Sequence, residues 1–258
     1  MTAIRSAAFA VLALLFTAVM SILLLPGLAL PRKRFQRLAA FWCRGLLALL
    51  RWCCGLRWRL VGAGNLPAGP AIIAAKHQSA WDTLIFHVVL DDPVYVLKRE
   101  LIRVPLFGWY LRKAGNIAID RSAGLRAIRT MLPAVDRALA EGSQVIVFPE
   151  GTRTAPGERA AYQPGIAALY GRAKASVVPV ALNSGLFWGR RHLRKRAGVI
   201  IIEILPAMPA ELSRPAFLAE LERRIEEATA RLAEVADDGT NGRAPQYGGR
   251  RLEEQKPG

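Results

Sequence analysis

An uncharged apolar run from Ala7 to Leu30 opens the chain, with Arg5 before it and Arg32, Lys33, Arg34 and Arg37 after it. About 24 residues at helical rise suffice to cross a hydrocarbon core of roughly 30 Å, so the run predicts a membrane helix. Positive charge is retained on the cytoplasmic side of a membrane, and the basic cluster therefore predicts a catalytic part that faces the cytoplasm. A cleaved signal peptide would have a shorter apolar stretch ending in a small-x-small site. This stretch ends Leu28-Ala29-Leu30-Pro31-Arg32. A second stretch, Phe41 to Leu60, mixes Leu, Trp and Cys with Arg44, Arg51, Arg57 and Arg59. Spanning with these arginines is costly, whereas lying in the headgroup layer is not, and Trp42, Trp52 and Trp58 suit that layer. An ordinary helix packed on a core, basic side chains turned to water, fits the same pattern. Either way, residues 1–61 are expected to form a membrane-anchoring helical pair.

After a turn-rich linker from Gly62 to Pro70, the continuous apolar run Ala71-Ile72-Ile73-Ala74-Ala75 predicts a short buried strand. Similar runs recur at Val94–Leu97, Ile117–Ile119, Gln144–Phe148, Val177–Ala181 and Val199–Leu205. Between two of them, Leu125 to Glu141 carries Ile128, Leu132, Val135 and Leu139 at helical spacing and stops at Gly142, which predicts a helix covering the sheet. Phe217 to Val235 reads as an amphipathic helix with Glu220, Glu222, Arg223, Arg224 and Glu226 on its wet side. Strands alternating with helices define an α/β chain. The expected organisation is a single α/β sandwich around a central mixed sheet over 62–210, a C-terminal amphipathic helix over 211–236, and a disordered tail over 237–258, where Gly, Pro and charge accumulate.

Composition adds a partner to this outline. Hydrophobic residues make up 52% of the 258 positions and charged residues 22%, which fits one membrane-attached domain better than a purely intramembrane protein. Lys and Arg exceed Asp and Glu by 16, an excess that calls for an anionic partner. Anionic lipid and nucleic acid both qualify, and the absence of a recognisable nucleic-acid module favours the membrane surface. Cys43, Cys53 and Cys54 form no CxxC and have no nearby histidine, so no metal site is expected and the cysteines read as apolar filler.

Candidate chemistry gathers where the predicted strands end. His77 and Asp82 lie in Lys76-His77-Gln78-Ser79-Ala80-Trp81-Asp82, directly after the first core strand. That spacing allows a carboxylate to turn back to the imidazole. A neutral imidazole can take a proton from an attacking hydroxyl, with the aspartate fixing its tautomer. By itself the pair better suits a structural histidine that caps a helix. A second group interleaves cations with apolar residues: Lys98-Arg99-Glu100-Leu101, Pro105-Leu106-Phe107-Gly108, and Gly115 to Arg121. A third, Phe148-Pro149-Glu150-Gly151-Thr152-Arg153, ends another strand. Its turn would project Thr152 and Arg153, and an arginine clamps phosphate by bidentate hydrogen bonds.

In this order the groups resemble the four sequence blocks of the glycerolipid acyltransferases, and closely those of the 1-acyl-glycerol-3-phosphate acyltransferases. HxxxxD matches at His77 and Asp82, the KxEL, PxFG and GxIxIDR block at Lys98 to Arg121, FPEGTR at Phe148 to Arg153, and the fourth at Val178 to Asn183. The resemblance covers roughly residues 65 to 205 and departs at Lys76, where many members have Asn, and at Ala118, where an aromatic is frequent. It implies a His77 base paired with Asp82, and a helical pair seated on the membrane. It also implies an acyl-CoA or acyl-carrier-protein donor, a lysophospholipid acceptor and no cofactor. Lys98 and Arg153 look like acceptor-phosphate ligands, Arg121 a helper, Glu150 and Gly151 residues shaping that loop beside Thr152, and Val178 to Leu182 an acyl-chain or core wall. The expected reaction acylates the 2-hydroxyl of 1-acyl-glycerol-3-phosphate to phosphatidic acid. A lyso-ornithine lipid or another lysophospholipid is the alternative acceptor, and a non-catalytic, membrane-tethered binder is the alternative class.

Overall fold

A computed structural model describes residues 2–172, 175–190 and 192–239. Helix α1 (Thr2–Leu23) is followed by α2 (Arg32–Leu49), which ends in a wider π turn at Leu50–Cys54 and a left-handed Gly55. The strands are β1 (Leu56–Val61), β2 (Ala71–Ala75), β3 (Pro93–Lys98), β4 (Ile117–Ile119), β5 (Gln144–Val147), β6 (Ser176–Leu182) and β7 (Gly198–Ile204). They form one sheet in the order β1-β7-β6-β2-β5-β3-β4. All neighbouring pairs are parallel except β6 and β7, so the sheet is mixed, as expected.

The sheet explains the continuous apolar runs. All five residues of β2 are fully buried because helices cover both faces. On one face lie α1, α2 and α3 (Asp82–Val89), with Cys43, Leu46, Ile85 and Phe86 packed on Ile73, Ile146 and Val178. On the other lie α5 (Leu125–Ala140), α6 (Pro164–Tyr170) and α7 (Arg214–Gly239), whose Val135, Leu169 and Ile225 meet Ile72, Val145 and Val177. The buried stripe of α5 runs through Ala127, Met131, Val135 and Leu139; Ile128 and Leu132, expected within it, are only partly buried at its edge.

Two expectations change. Phe41 to Leu60 is not one helix: it breaks after Cys54, and Leu56–Val61 is an edge strand paired with β7. The domain boundary expected at 61/62 therefore moves back to residue 55. Leu56, Trp58 and Leu60 alternate with Arg57 and Arg59, the two-residue period of a strand, and the arginine content masked it. Glu226, expected on the wet side of the C-terminal helix, is buried and faces the core. The helix itself runs to Gly239, three residues into the tail expected over 237–258; residues 240–258 lie outside the described residues.

Helix α2 is bolted to the sheet at its start, where Arg32 makes a bidentate ion pair with Asp92 at 2.8 and 2.7 Å and Gln36 donates to the carbonyls of Pro93 and Ala114. Helix α1 lies along α2. Arg5 donates to the Cys53 carbonyl at one end, and Trp42 donates to Thr17 nearer the other. Between β3 and β4, α4 (Phe107–Lys113) starts at a tight turn where Gly108 is dictated by space. A Cβ there would sit 2.0 Å from the Ile102 carbonyl oxygen, a backbone atom. Gly108→Ala is expected to cost at least the 1–3 kcal/mol typical of overpacking, measurable as a lower midpoint in thermal unfolding.

Candidate active site

The carboxyl ends of the parallel strands carry nearly every residue singled out for chemistry. His77 follows β2, Phe148 to Arg153 follow β5, Lys98 closes β3 and Arg121 follows β4. Because the order across the sheet is β2-β5-β3-β4, segments scattered over 77 residues of chain line up along one edge, where open α/β sheets bind ligands.

His77 is held from three sides. Its Nδ1–H donates to Asp82 Oδ2 at 3.0 Å, its ring stacks on Phe148 with centroids 3.9 Å apart, and its backbone N–H donates to Glu150 Oε2 at 2.9 Å. Asp82 is completely buried. The segment 77–81 curls over its carboxylate, so that Oδ2 also accepts from the N–H groups of Gln78 and Ser79 at 2.7 and 2.8 Å, while Oδ1 accepts from the Ser184 hydroxyl at 2.5 Å. The five-residue spacing thus does two things: it places Asp82 in the first turn of α3, where negative charge is favoured, and makes the intervening backbone its solvent. With Nδ1 carrying the proton to Asp82, Nε2 presents a lone pair away from it. Of the other histidines, His87 is pushed down to about 4 by burial and its Nδ1 has no hydrogen-bond partner among the described residues, which leaves it a neutral packing residue.

Beneath His77 lies a buried ion network. Lys76, 1% exposed, has its ammonium 2.6 Å from Glu150 Oε1 and 2.7 Å from Glu226 Oε1. Thr154 donates its hydroxyl to the same Glu150 oxygen, and Tyr162 donates to Glu226; burial and the neighbouring Glu226 push the Tyr162 phenol far up. Glu150, expected to shape the acceptor loop, is not at the surface. It is buried and ties the loop after β5 to the backbone of His77.

The remaining expected ligands stay accessible. Gly151 sits at φ +67°, a conformation that favours glycine, and its carbonyl accepts a hydrogen bond from the Arg121 guanidinium. Arg121 thereby braces the loop from the β4 side. Lys98 is exposed and near Glu100 at 3.3 Å. Thr152 is exposed and Arg153 half-buried, with the Arg153 carbonyl held by Arg190. Near His77 the backbone donors are already spent: His77, Gln78 and Ser79 on carboxylates and Thr154 on the His77 carbonyl. The N–H groups of Thr152 and Arg153 make no hydrogen bond among the described residues. Val178 to Leu182 is β6, buried in the middle of the sheet: a core wall. Ser184, Thr154 and Tyr162 went unnoticed in the sequence, and Glu226 was placed in water. Ser184 stood directly after the fourth block, but nothing local tied it to Asp82, about 100 residues earlier.

An imidazole oriented by a desolvated carboxylate, on a sheet edge that also carries Lys98, Arg121 and Arg153, is the arrangement of an enzyme site suited to accepting a proton. The comparisons with known proteins are narrower. Residues 57–183 match the family model described as Acyltransferase. A 1-acyl-sn-glycerol-3-phosphate acyltransferase of Pseudomonas aeruginosa is 38% identical over 195 residues, covering 76% of this chain and 76% of that one. The Homo sapiens 1-acyl-sn-glycerol-3-phosphate acyltransferase alpha is 28% identical over 233 residues, 89% of this chain and 81% of that protein. The crystal structure of the 1-acyl-sn-glycerophosphate (LPA) acyltransferase PlsC from Thermotoga maritima superposes with a TM-score of 0.72 at 18% identity, covering 90% and 99% of the two chains; it shares the fold. The chain belongs to the 1-acyl-sn-glycerol-3-phosphate acyltransferase family.

Proposed function

We propose that this protein acylates the 2-hydroxyl of 1-acyl-glycerol-3-phosphate from a thioester donor, acyl-CoA or acyl-carrier protein, to form phosphatidic acid at the cytoplasmic face of a membrane. The observation that carries this reading is the buried Asp82 holding His77 with Nε2 free, on the sheet edge that also carries Lys98, Arg121 and Arg153.

Nε2 of His77 takes the proton of the 2-hydroxyl as its oxygen attacks the thioester carbonyl. The resulting oxyanion is stabilised by the free N–H groups of Thr152 and Arg153. Collapse expels the thiolate, which receives the proton from His77, and no cofactor enters the balance. The phosphate of the acceptor sits between Lys98 and the Arg153 guanidinium. The outer face of α1, with Ile4, Leu14 and Leu23 among its exposed residues, rests in the membrane, and α1 is long and apolar enough to cross one.

The direct test is an assay of the full-length protein in vesicles that crosses acyl-CoA and acyl-carrier donors against 1-acyl-glycerol-3-phosphate, a lyso-ornithine lipid and a neutral lysolipid. Fastest turnover on 1-acyl-glycerol-3-phosphate supports the reading; preference for either other acceptor overturns it. Arg153→Ala is expected to raise KM for the phosphate-bearing acceptor roughly ten- to hundredfold, the scale of a lost charge-assisted hydrogen bond, and to leave the ranking of acyl chains unchanged. Equal loss with an acceptor lacking the phosphate would remove Arg153 from the phosphate site.

A further inference from the structure

The segment between β3 and α4 exposes more apolar surface than a water-facing loop explains. Leu101, Val104, Leu106, Phe107 and Trp109 are each between 36% and 49% exposed within nine positions. Single exposed apolar residues are ordinary, but a contiguous group of large ones marks an interaction surface.

The group is also built rigidly. Leu106 has φ 60° and ψ −60°, and Phe107 N–H donates to the Pro105 carbonyl at 2.6 Å. This is a γ-turn of the rare, strained form, adopted by a leucine. The next residue, Gly108, is pressed against the Ile102 carbonyl, where no side chain fits. Strain of this kind persists only where the surroundings over-determine it, and here it holds two large apolar side chains outward, at the tip of the turn.

Two observations identify what covers this tip. It continues the exposed face of α1: Tyr110, in the middle of α4, donates its hydroxyl to the Ser21 carbonyl near the end of α1 and stacks on Phe35 of α2 at 5.9 Å. Its rim is basic, with Lys98, Arg99, Arg103 and Arg112 all exposed, and of these Arg99 pairs with Asp120 and Lys98 with Glu100. Apolar side chains flanked by cations and a tryptophan match a bilayer with anionic headgroups.

We propose that the turn from Leu101 to Trp109 is a second membrane-inserting element, entering the acyl-chain region of the same leaflet as α1. The inference rests on the membrane reading of α1 given above. Its position has a consequence for the site: Lys98 begins this segment, so insertion of Leu106 and Phe107 sets Lys98 at headgroup level. A phosphate-bearing acceptor then meets its cation without leaving the leaflet.

The test uses the full-length protein in phosphatidylcholine vesicles containing phosphatidylglycerol, with bromine on the lipid acyl chains as a fluorescence quencher. Lipid bromine is expected to quench the native protein more than Trp109→Phe, and the fluorescence lost in that variant should resist aqueous acrylamide. If the Trp109 contribution is quenched by acrylamide and not by bromolipid, the tip lies in water and the proposal fails. If neither quenches it and the protein sediments as a dimer, a second copy covers the tip and the proposal also fails. If the protein does not associate with vesicles at all, the membrane reading of α1 fails first. An independent arm replaces both tip residues, Leu106→Asp with Phe107→Asp. Turnover of vesicle-embedded acceptor should fall by about tenfold, as expected for two charges placed in the interface, while turnover of a short-chain, water-soluble acceptor is unchanged. Equal loss on both acceptors would assign the turn a structural role instead.

Discussion

Replacing His77 with alanine is expected to lower acyl transfer by about 10²–10⁴-fold, the usual cost of removing a general base, with expression and thermal midpoint close to those of the native protein. The two halves of this expectation have separate physical grounds. The side chain supplies the one imidazole whose Nδ1–H is committed to a buried carboxylate, so no neighbour can take over the proton. What anchors the segment is mostly backbone: the N–H of His77 on Glu150 and its carbonyl under the N–H of Thr154. Alanine keeps both. Asp82→Asn should also be severe, and for a different reason, since an amide in place of Oδ2 must face the N–H groups of Gln78 and Ser79 as well as the imidazole. It is expected to lower both turnover and the thermal midpoint, whereas His77→Ala lowers turnover alone. Assays of both variants in vesicles, alongside melting curves, separate the proton acceptor from its support; native activity in His77→Ala would exclude the mechanism.

The sheet was legible because burial on both faces leaves its mark in the composition of each strand. Six of the strands read as apolar runs, and the chemistry sat where those runs ended. The exception, Leu56–Val61, is an edge strand in which only alternate residues need be apolar, and its arginines made it resemble an interfacial helix. Local pattern placed His77 near Asp82 because five residues of chain limit how far apart they can be. It had no such hold on Ser184, which reaches Asp82 from the turn after β6, or on Glu226, which reaches Lys76 from the last helix. Glu226 was assigned to water because a charged residue beside Arg223 and Arg224 on an amphipathic helix is normally solvated. It lies next to Ile225 at the margin of the buried stripe, and only the ammonium waiting across the interface makes its burial tolerable.

That ammonium carries the other large effect. Lys76→Met removes the single cation between Glu150 and Glu226 and leaves two carboxylates in a site where neither is appreciably exposed. Breaking a buried pair by deleting one partner typically costs 3–5 kcal/mol, which for a chain of this size corresponds to a fall of roughly 10 °C in the thermal midpoint. Glu226→Gln should cost far less, because Lys76 keeps Glu150 and the amide can still accept from Tyr162 and the ammonium. The double variant Lys76→Met with Glu226→Gln removes one of the two stranded charges and should recover part of the loss, a coupling that residues in one network are expected to show. Activity follows the same logic, since Glu150 is the link from Lys76 to the backbone of His77: the lysine variant should lose turnover even well below its melting midpoint. Melting curves and initial rates on the two single variants and the double one test this. If the single-variant losses simply add, Lys76 and Glu226 are independent, and the buried network has no bearing on the placement of the base.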